Sequence, residues 1–350
     1  MPISAVDAIN LAIEHTKRQL LQPFRIGQWT RLAVVGLLAG ELGSSGGCNR
    51  SNFNLPRHPG ASPHFPGLAG IDFALLAGLI SAIVVAAILL GIIFMYISSV
   101  MRFTLFDSIL AKECHIRLGW MRRQGPGWQY FLWKLVYLLL TMAVILILVG
   151  IPAAFAFFAG WLRSPKEHIL PLALGGLVLF FVLMIALVVL AVIFVLTKDF
   201  VVPQMALEGV SAFEGWRRLW PMIKAEKGGY AGYIGMKIVL AIAAAILVGI
   251  ATFIVGLIIA IPTVGLGIIA VITGKTAGLT WDAYTITLAI VIGSILLAGF
   301  LYLVSLISVP VIVFFPAYSI YFFSARYRPL SAALYPPPPA SVAPPLPSVP

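Results

Sequence analysis

Long stretches without a charged residue dominate this sequence. Residues 73–101, 135–162 and 169–197 contain no Asp, Glu, Lys or Arg over 29, 28 and 29 positions. A helix crosses the hydrocarbon core of a bilayer with about 20 apolar residues. The whole chain is 61% hydrophobic and only 10% charged, whereas soluble domains carry about 25% charged residues. The pattern predicts an all-α, polytopic transmembrane helical bundle.

Six apolar blocks are predicted to span the membrane. They cover about residues 32–47, 73–101, 135–162, 169–197, 238–261 and 284–309. The first block is short and contains Glu41. The fifth block stays uncharged as far as residue 274, but Pro262 interrupts it, so we expect the helix to end at 261 and residues 262–274 to form a short re-entrant or surface segment.

Segments of different composition flank the six-span domain, which covers residues 31–328. Residues 1–30 are predicted to be a cytosolic amphipathic segment with a helix from Ser4 to Leu21, in which Val6, Ile9, Ile13 and Leu20 share one side. Such a helix lies in the headgroup plane or packs on the cytosolic side of the bundle, and the alternative is an ordinary cytosolic helix. After Pro310 the chain is rich in aromatic residues, which is typical of an interface helix. Residues 329–350 are proline-rich and predicted to be a disordered cytosolic tail.

The basic residues predict the orientation of the bundle. Segments 1–31, 102–134, 198–237 and 326–328 together contain 18 of the 23 Lys and Arg residues. Loops rich in Lys and Arg stay on the cytoplasmic side of a membrane. We therefore expect both termini in the cytoplasm of a multi-pass protein of the prokaryotic inner membrane.

The two long basic segments resemble each other. Phe103 aligns with Phe200. With a one-residue gap, Gly119-Trp120 aligns with Gly215-Trp216. Two arginines follow in both segments. The pattern indicates a hairpin of two spans and a cytosolic amphipathic interface helix, repeated within the chain. The alternative is that any span followed by an amphipathic surface helix looks like this.

Two groups of residues are candidate sites. Tryptophan beside arginine suits a lipid headgroup, because the ring lies at the interface and the guanidinium binds phosphate. The candidate headgroup residues are Trp120, Arg122, Arg123, Trp216, Arg217 and Arg218. Glu41 is a candidate intramembrane acid, since carboxylates at membrane depth are costly and usually functional.

Motifs for other chemistry are missing from the sequence. There is no HExxH, P-loop or GxSxG pattern, so no catalytic, cofactor-binding or metal-binding residue is predicted. The formal net charge is +11, but the basic residues follow the membrane topology and no nucleic-acid-binding module is present. We predict that the protein is not an enzyme and binds no nucleic acid.

The run KDFVVPQMALEGVSAFEGWRRLWPMIK and the opening PFRIGQWTRLAVVGLLAG carry a family resemblance. Both resemble uncharacterised prokaryotic six-span proteins related to the membrane domain of glycerophosphoryl diester phosphodiesterases, over roughly residues 20–328. Only a short proline-rich segment follows Arg328, without a hydrolase domain. The resemblance therefore implies a fold and a location, and no catalytic residue.

The expected function is non-enzymatic. The chain would serve as a membrane scaffold or handle lipids or proteins at the membrane, with membrane lipids as partners and a second membrane protein or another copy of the chain as a possible further partner. The alternative is a transporter or channel with a path between the repeats and Glu41 as its coupling site.

Overall fold

A computed structural model describes residues 4–41, 73–161, 168–276 and 283–335. Within these residues the chain is all-helical, without strands. The α-helices are α1 (Asp7–Leu21), α2 (Ile26–Leu38), α3 (Phe73–Ala111), α4 (Ile116–Phe158), α5 (Ile169–Leu196), α6 (Val202–Glu208), α7 (Ala212–Ala225), α8 (Lys227–Thr276), α9 (Ala283–Ser324) and α10 (Arg328–Leu334). A π-helical turn, Thr197–Val201, joins α5 to α6.

Five helical segments of the described chain are long and apolar enough to cross a membrane. They are Ala77–Ala111, Ile116–Phe158, Ile169–Glu208, Lys227–Gly274 and Thr285–Ser324. The most apolar stretch of each segment is not buried against the rest of the protein. Exposed apolar surface on this scale is unfavourable in water and favourable in lipid. The described chain is thus consistent with a multi-pass membrane protein.

The packed core lies at one end of this bundle. It contains the C-terminal part of α3, the π-helical turn with α6, the start of α8 and the C-terminal part of α9. Its largest fully buried side chains are aromatic, and they include Phe103, Tyr130, Phe200, Tyr233 and Phe322. These are the ends at which the basic segments begin or finish. The helices therefore converge at their basic ends, while their apolar ends have few contacts.

The predicted helix breaks at prolines are wrong. Helix α8 continues through Pro262 to Thr276, so the described part of residues 262–274 is helical and not a separate re-entrant segment. Helix α9 likewise continues through Pro310 and Pro316. Membrane helices tolerate proline when nearby groups satisfy the freed carbonyls.

The basic segments are helical along most of their length. Residues 102–111 extend α3, and residues 116–134 form the first part of α4. Residues 198–237 contain the π-helical turn, α6, α7 and the start of α8. The long span helices therefore project past their apolar stretches. These projections form the core described above.

Helix α2 covers the first part of the short block predicted at 32–47. Its 13 residues make a rise of about 20 Å, which is less than the hydrocarbon thickness of about 30 Å. Gln28 donates to the Lys112 carbonyl at 2.8 Å, and the other end of α2 meets Ser98 at Gly40. Helix α2 thus runs along the projecting end of α3, antiparallel to it. Residues 42–47 lie outside the described part.

Helix α1 packs on α9 through only part of its apolar side. Ala8, Ala12, His15 and Leu20 are buried, whereas Ile13, and Val6 just before the helix, are exposed. Asp7 begins the helix and its N–H donates to the Ser4 hydroxyl at 3.1 Å. An apolar face left outside the bundle suits a helix in the headgroup region.

The predicted tail begins later than residue 329. Helix α10 runs from Arg328 to Leu334, and Leu330 is fully buried against the core. Pro329 is in the first turn, where its missing N–H costs no hydrogen bond. The disordered tail predicted from 329 is therefore wrong for these residues. Residues 336–350 lie outside the described part.

Candidate functional site

Glu41 lies in the interior of the packed end, immediately after α2. Its side chain is 2% exposed, and its Oε2 accepts from Lys198 Nζ at 2.7 Å. Its Oε1 pairs with the guanidinium of Arg102. Arg102 comes from the projecting end of α3, and Lys198 comes from the π-helical turn. One carboxylate thus connects three separate elements of the fold.

A second buried carboxylate lies beside the first. Asp199 is 4% exposed and pairs with Lys237 of α8. The Tyr233 hydroxyl, one turn earlier on the same helix, donates to Asp199 Oδ2 at 2.9 Å. Asp199 therefore attaches the π-helical turn to α8, independently of α2.

The π-helical turn explains how adjacent residues reach different partners. Thr197, Asp199, Phe200 and Val201 are all buried, and Lys198 keeps its charged end inside. A π turn inserts one residue into a helix and occurs often at functional sites. Neighbouring elements surround this turn, so consecutive side chains are enclosed on all sides. Lys198 points towards Glu41, and Asp199 points towards α8.

Two cavities border the ion pairs. The smaller has a volume of about 20 Å³, room for about one water molecule, and lies beside Arg102. The larger, of about 290 Å³, runs between α5 and α8. We call it the α5–α8 groove. Apart from Phe315 its walls are aliphatic: Val188, Ala191, Val192 and Val195 of α5, and Ile234, Ile238 and Ala241 of α8.

Charge is concentrated at one end of the α5–α8 groove. Glu41, Lys198 and Lys237 line it together with the apolar walls, and Arg102 and Asp199 line the smaller cavity. Among the residues that line the two cavities, three cations face two carboxylates. This surplus of positive charge in an apolar setting favours binding of an anion.

The same lining residues offer few groups for other chemistry. Neither cavity has a histidine or a cysteine in its lining. Within the described chain, no group of three or more His, Cys, Asp and Glu side chains is placed to hold a metal ion. The arrangement is suited to binding and to charge compensation.

The structure places the first three predicted headgroup residues on α4. Arg123 forms a bidentate pair with Asp107, with both N–O distances at 2.6 Å. The ring of Trp120 packs edge-on against Tyr96, with 6.0 Å between centroids. Arg122 is exposed. Arg123 and Trp120 thus hold α4 against α3, and Arg122 faces outwards.

The other three predicted headgroup residues lie on α7. The indole of Trp216 donates to the Thr197 hydroxyl at 2.9 Å. Arg218 pairs with Glu208 and, at 3.1 Å, with Glu214. Arg217 is 79% exposed. The headgroup candidates on α4, those on α7 and Glu41 therefore lie at separate places and do not form one site. Glu208 and Asp107 pair with arginines of the same basic segment.

The two basic segments make matching contacts. A Cβ built on Gly119 would lie 2.5 Å from the Thr104 side chain, and one built on Gly215 would lie 2.7 Å from Val201. In both cases glycine allows the helix after the turn to approach the helix before it. Thr104 and Val201 each follow the phenylalanine that the two segments share.

The shared phenylalanines also have matching aromatic partners. Phe103 packs edge-on against Tyr130, with 5.9 Å between centroids. Phe200 packs edge-on against Tyr230, with 5.4 Å between centroids. Both tyrosines lie shortly before the uncharged run of their helix, which begins at residue 135 in α4 and at residue 238 in α8. The contacts therefore correspond in type and in order.

Sequence reasoning identified Glu41 but missed its partners as site residues. Arg102, Lys198 and Asp199 were assigned to basic segments that set the topology. One available signal is their position, because Arg102 and Lys198 are the first charged residues after uncharged runs of 29 residues. Lys237 directly precedes another such run. These charged residues therefore lie at the boundaries of the uncharged runs.

Comparison of the chain with curated proteins and with solved structures finds no match. The model of a family of unknown function, DUF7544, matches residues 3–332. That match covers nearly the whole chain. The chain therefore belongs to the DUF7544 family.

Proposed function

We propose that this protein handles lipids, and that it takes an amphiphile from the bilayer into the α5–α8 groove. The observation that carries this proposal is the groove itself, about 290 Å³ with aliphatic walls and a charged end. Ligand sites are mostly apolar, with a few placed polar groups. An acyl chain fits the walls, and a polar headgroup fits the end at Lys198 and Lys237.

The surroundings of the groove support access from lipid. The outer parts of α5 and α8 expose aliphatic side chains such as Ile185, Val189 and Ile242. Helix α5 lies in closer contact with α4 than with α8. An amphiphile in the bilayer would thus reach the charged end by sliding between two helices, without crossing a polar surface.

The proposed location is the inner membrane of a prokaryotic cell, with the basic end in the cytoplasm. Support comes from the clustering of basic residues at the packed end. Helix α1 contacts the C-terminal part of α9 through His15 and Tyr321, so both ends of the described chain lie at one end of the bundle. The described residues contain five helices that are long and apolar enough to cross, and we retain the six crossings predicted from sequence as a proposal.

Blocking the groove tests the proposal. Ala241 lines the groove on α8, and Ala241→Trp would fill it. Ala243 is exposed on the same helix outside the groove, so Ala243→Trp is a matched control. Native mass spectrometry from a mild detergent should show lipid bound to the wild type and to Ala243→Trp, and at least about tenfold less on Ala241→Trp. Equal lipid on both variants would contradict the proposal.

A transporter remains the second candidate, because buried ionisable groups in membrane proteins often mark ion pathways. Glu41 and Asp199 are both buried and paired. In sealed proteoliposomes, a coupled transporter would produce a flux of protons or ions that Glu41→Gln abolishes. Lipid handling alone predicts no such flux in either protein.

Non-enzymatic action and kinship with a known membrane domain, both expected from the sequence, are also proposals. Non-enzymatic action fits the lining of the two cavities, which offers groups for binding. Kinship with the membrane domain of glycerophosphoryl diester phosphodiesterases is also a proposal, supported by the two quoted sequence runs. Of these, KDFVVPQMALE forms the buried π-helical turn and α6.

A further inference from the structure

Building on the proposed function, we infer that the amphiphile is an anionic phospholipid whose phosphate replaces the Glu41 carboxylate on Lys198 and Arg102. Glu41 would then be an internal competitor that occupies the headgroup position while the groove is empty. The inference concerns the ligand class and the regulation of the same site.

The first support is the charge of the site. Among the described residues that line the two cavities, three cations, Arg102, Lys198 and Lys237, accompany two carboxylates, Glu41 and Asp199. A fourth cation is close by, because Lys134 Nζ donates to the Ser98 hydroxyl at 3.2 Å, and Ser98 lies beside the backbone that leads into Glu41. A zwitterionic headgroup would bring one more cation to these three, whereas the phosphate of an acidic phospholipid would keep the balance that the Glu41 carboxylate provides.

The second support is that the two carboxylates are attached differently. Asp199 is held within the π-helical turn and bonded to Tyr233 and Lys237 of α8. Glu41 instead follows the end of α2, after Gly40, whose φ is +80°. Glycine readily adopts this left-handed conformation, which ends the helix. The Glu41 N–H donates to the Gly36 carbonyl at 2.9 Å, so Glu41 would leave its partners by rotation of its side chain at the end of α2, whereas Asp199 is enclosed within the helical core.

The third support is the position of Glu41 between the cavities. Its side chain lines both the α5–α8 groove and the smaller cavity beside Arg102. Withdrawal of this carboxylate would connect the groove to Arg102. A headgroup that enters from the groove would then contact Lys198 first and Arg102 next.

Exchange of the Glu41 carboxylate for a phosphate keeps the buried cations compensated. Removal of Glu41 alone would leave buried cations unpaired, which is strongly unfavourable. A phosphodiester carries one negative charge, the same as the carboxylate, and Arg with Lys binds phosphate well. Glu41 would therefore leave as the phosphate arrives, and the site would stay compensated throughout.

Binding of phosphatidylglycerol to the full-length protein tests this inference. The wild type and Glu41→Gln, each in mild detergent, would be titrated with phosphatidylglycerol, with phosphatidylcholine and with inorganic phosphate, and bound lipid measured by native mass spectrometry. We expect Glu41→Gln to bind phosphatidylglycerol about tenfold more tightly than the wild type, with little change for phosphatidylcholine. Inorganic phosphate at millimolar concentration should not displace the lipid.

A charge-matched control separates local from general effects. Glu226 also pairs with an arginine, Arg326, but it lines neither cavity. Glu226→Gln removes one negative charge and should leave phosphatidylglycerol affinity at the wild-type value. An equal gain in both variants would mean that net charge is responsible, and would overturn the inference.

A measurement on the wild type covers the case in which Glu41→Gln does not fold. Dicyclohexylcarbodiimide modifies carboxyl groups in apolar surroundings, and mass spectrometry locates the modified residue. Added phosphatidylglycerol should increase modification of Glu41 severalfold, because the lipid releases it. Unchanged or reduced modification would overturn the inference.

The outcomes distinguish the inference from the proposed function. If no protein binds either lipid, the proposed function fails. If the wild type binds phosphatidylglycerol and Glu41→Gln binds it equally or less, the groove holds lipid but Glu41 is not a competitor. If inorganic phosphate displaces the lipid, the site recognises free anions and the phospholipid assignment fails.

Discussion

Individual buried polar residues join the helices where their projecting ends meet. Gln19 of α1 donates to the Ser108 carbonyl at 3.0 Å, and Arg123 donates to the Ala206 carbonyl at 2.7 Å. Each bond joins helices that are far apart in sequence. Such bonds contribute modestly when made, but leaving a buried partner unsatisfied costs about 1–3 kcal/mol. They therefore select one arrangement of the helices.

Arg123→Ala is expected to destabilise the packed end by about 1–3 kcal/mol, because it leaves Asp107 without its bidentate partner. The apparent melting temperature in detergent should fall by several degrees. Arg122→Ala removes the exposed neighbour and is the matched control, for which we expect almost no change. Equal effects of the two variants would contradict this assignment.

His15 is expected to make stability sensitive to mild acid. It is buried against α9 with Nδ1 3.1 Å from the Tyr321 hydroxyl, and burial, with Lys112 and Arg18 nearby, lowers its pKa below 6.5. The unfolded chain therefore binds a proton at a pH at which the folded protein does not. Stability should fall as pH drops below about 6.5, by at most about 1.4 kcal/mol per pH unit.

The measurement is the melting temperature between pH 7.5 and 5.5 for the wild type and His15→Gln. The glutamine variant should lose part of the pH dependence, because position 15 no longer titrates. If the two curves stay parallel, His15 is not responsible for the acid sensitivity.

At the scale of elements, similar contacts recur in the two basic segments. Lys134 lies over the ring of Tyr130, with 4.8 Å between Nζ and the centroid. Lys237 lies over Tyr233 at 5.8 Å. In both pairs the two residues are four positions apart, just before the helix enters its uncharged run. Cation–π contacts of this kind suit lysines at the boundary of a membrane.

Gly215→Ala should destabilise the contact between α7 and the π-helical turn. The new methyl would lie 2.7 Å from Val201, and overpacking of this kind costs about 1–3 kcal/mol. Val201→Ala in the same protein should restore part of the loss. Gly232→Ala in α8, where no atom lies within 4 Å, is the control and should be neutral or slightly stabilising. Failure of the double variant to recover would argue against a steric cause.

At the level of the whole molecule, the packed end and the apolar end differ in charge, in burial and in the type of side chain that they expose. The packed end contains the ion pairs, the aromatic core and α1, α2 and α10. The other end exposes aliphatic side chains on all five long helices. A protein that lies asymmetrically across a bilayer has such a polarity, and the proposed orientation places the basic end in the cytoplasm.

Cysteine labelling tests the orientation. In a Cys48→Ser, Cys114→Ala background, a membrane-impermeant maleimide applied to spheroplasts should modify Thr276→Cys. It should modify Lys112→Cys and Lys224→Cys only after the membrane is opened. Labelling of the two lysine positions from outside would overturn the orientation.

Much of the helical architecture follows from sequence because apolarity is a local property that adds along the chain. Five of the six predicted blocks coincide with long apolar helices. Helix ends were less predictable. Pro262 was expected to end a helix, as it does in water, whereas α8 continues through it. The packed face of α1 was also not predictable, because burial of Ala12 depends on the shape of α9 and not on the apolarity of α1.

Composition over about 20 consecutive residues was sufficient to predict long apolar helices that could cross a membrane and that have basic ends. The pairing of Glu41 with Arg102 and Lys198, which lie 61 and 157 positions further along the chain, is evident only in the packed fold. An ion pair depends on which helix ends converge, and no local pattern encodes that convergence. The candidate site therefore becomes visible only when the five helices are packed together.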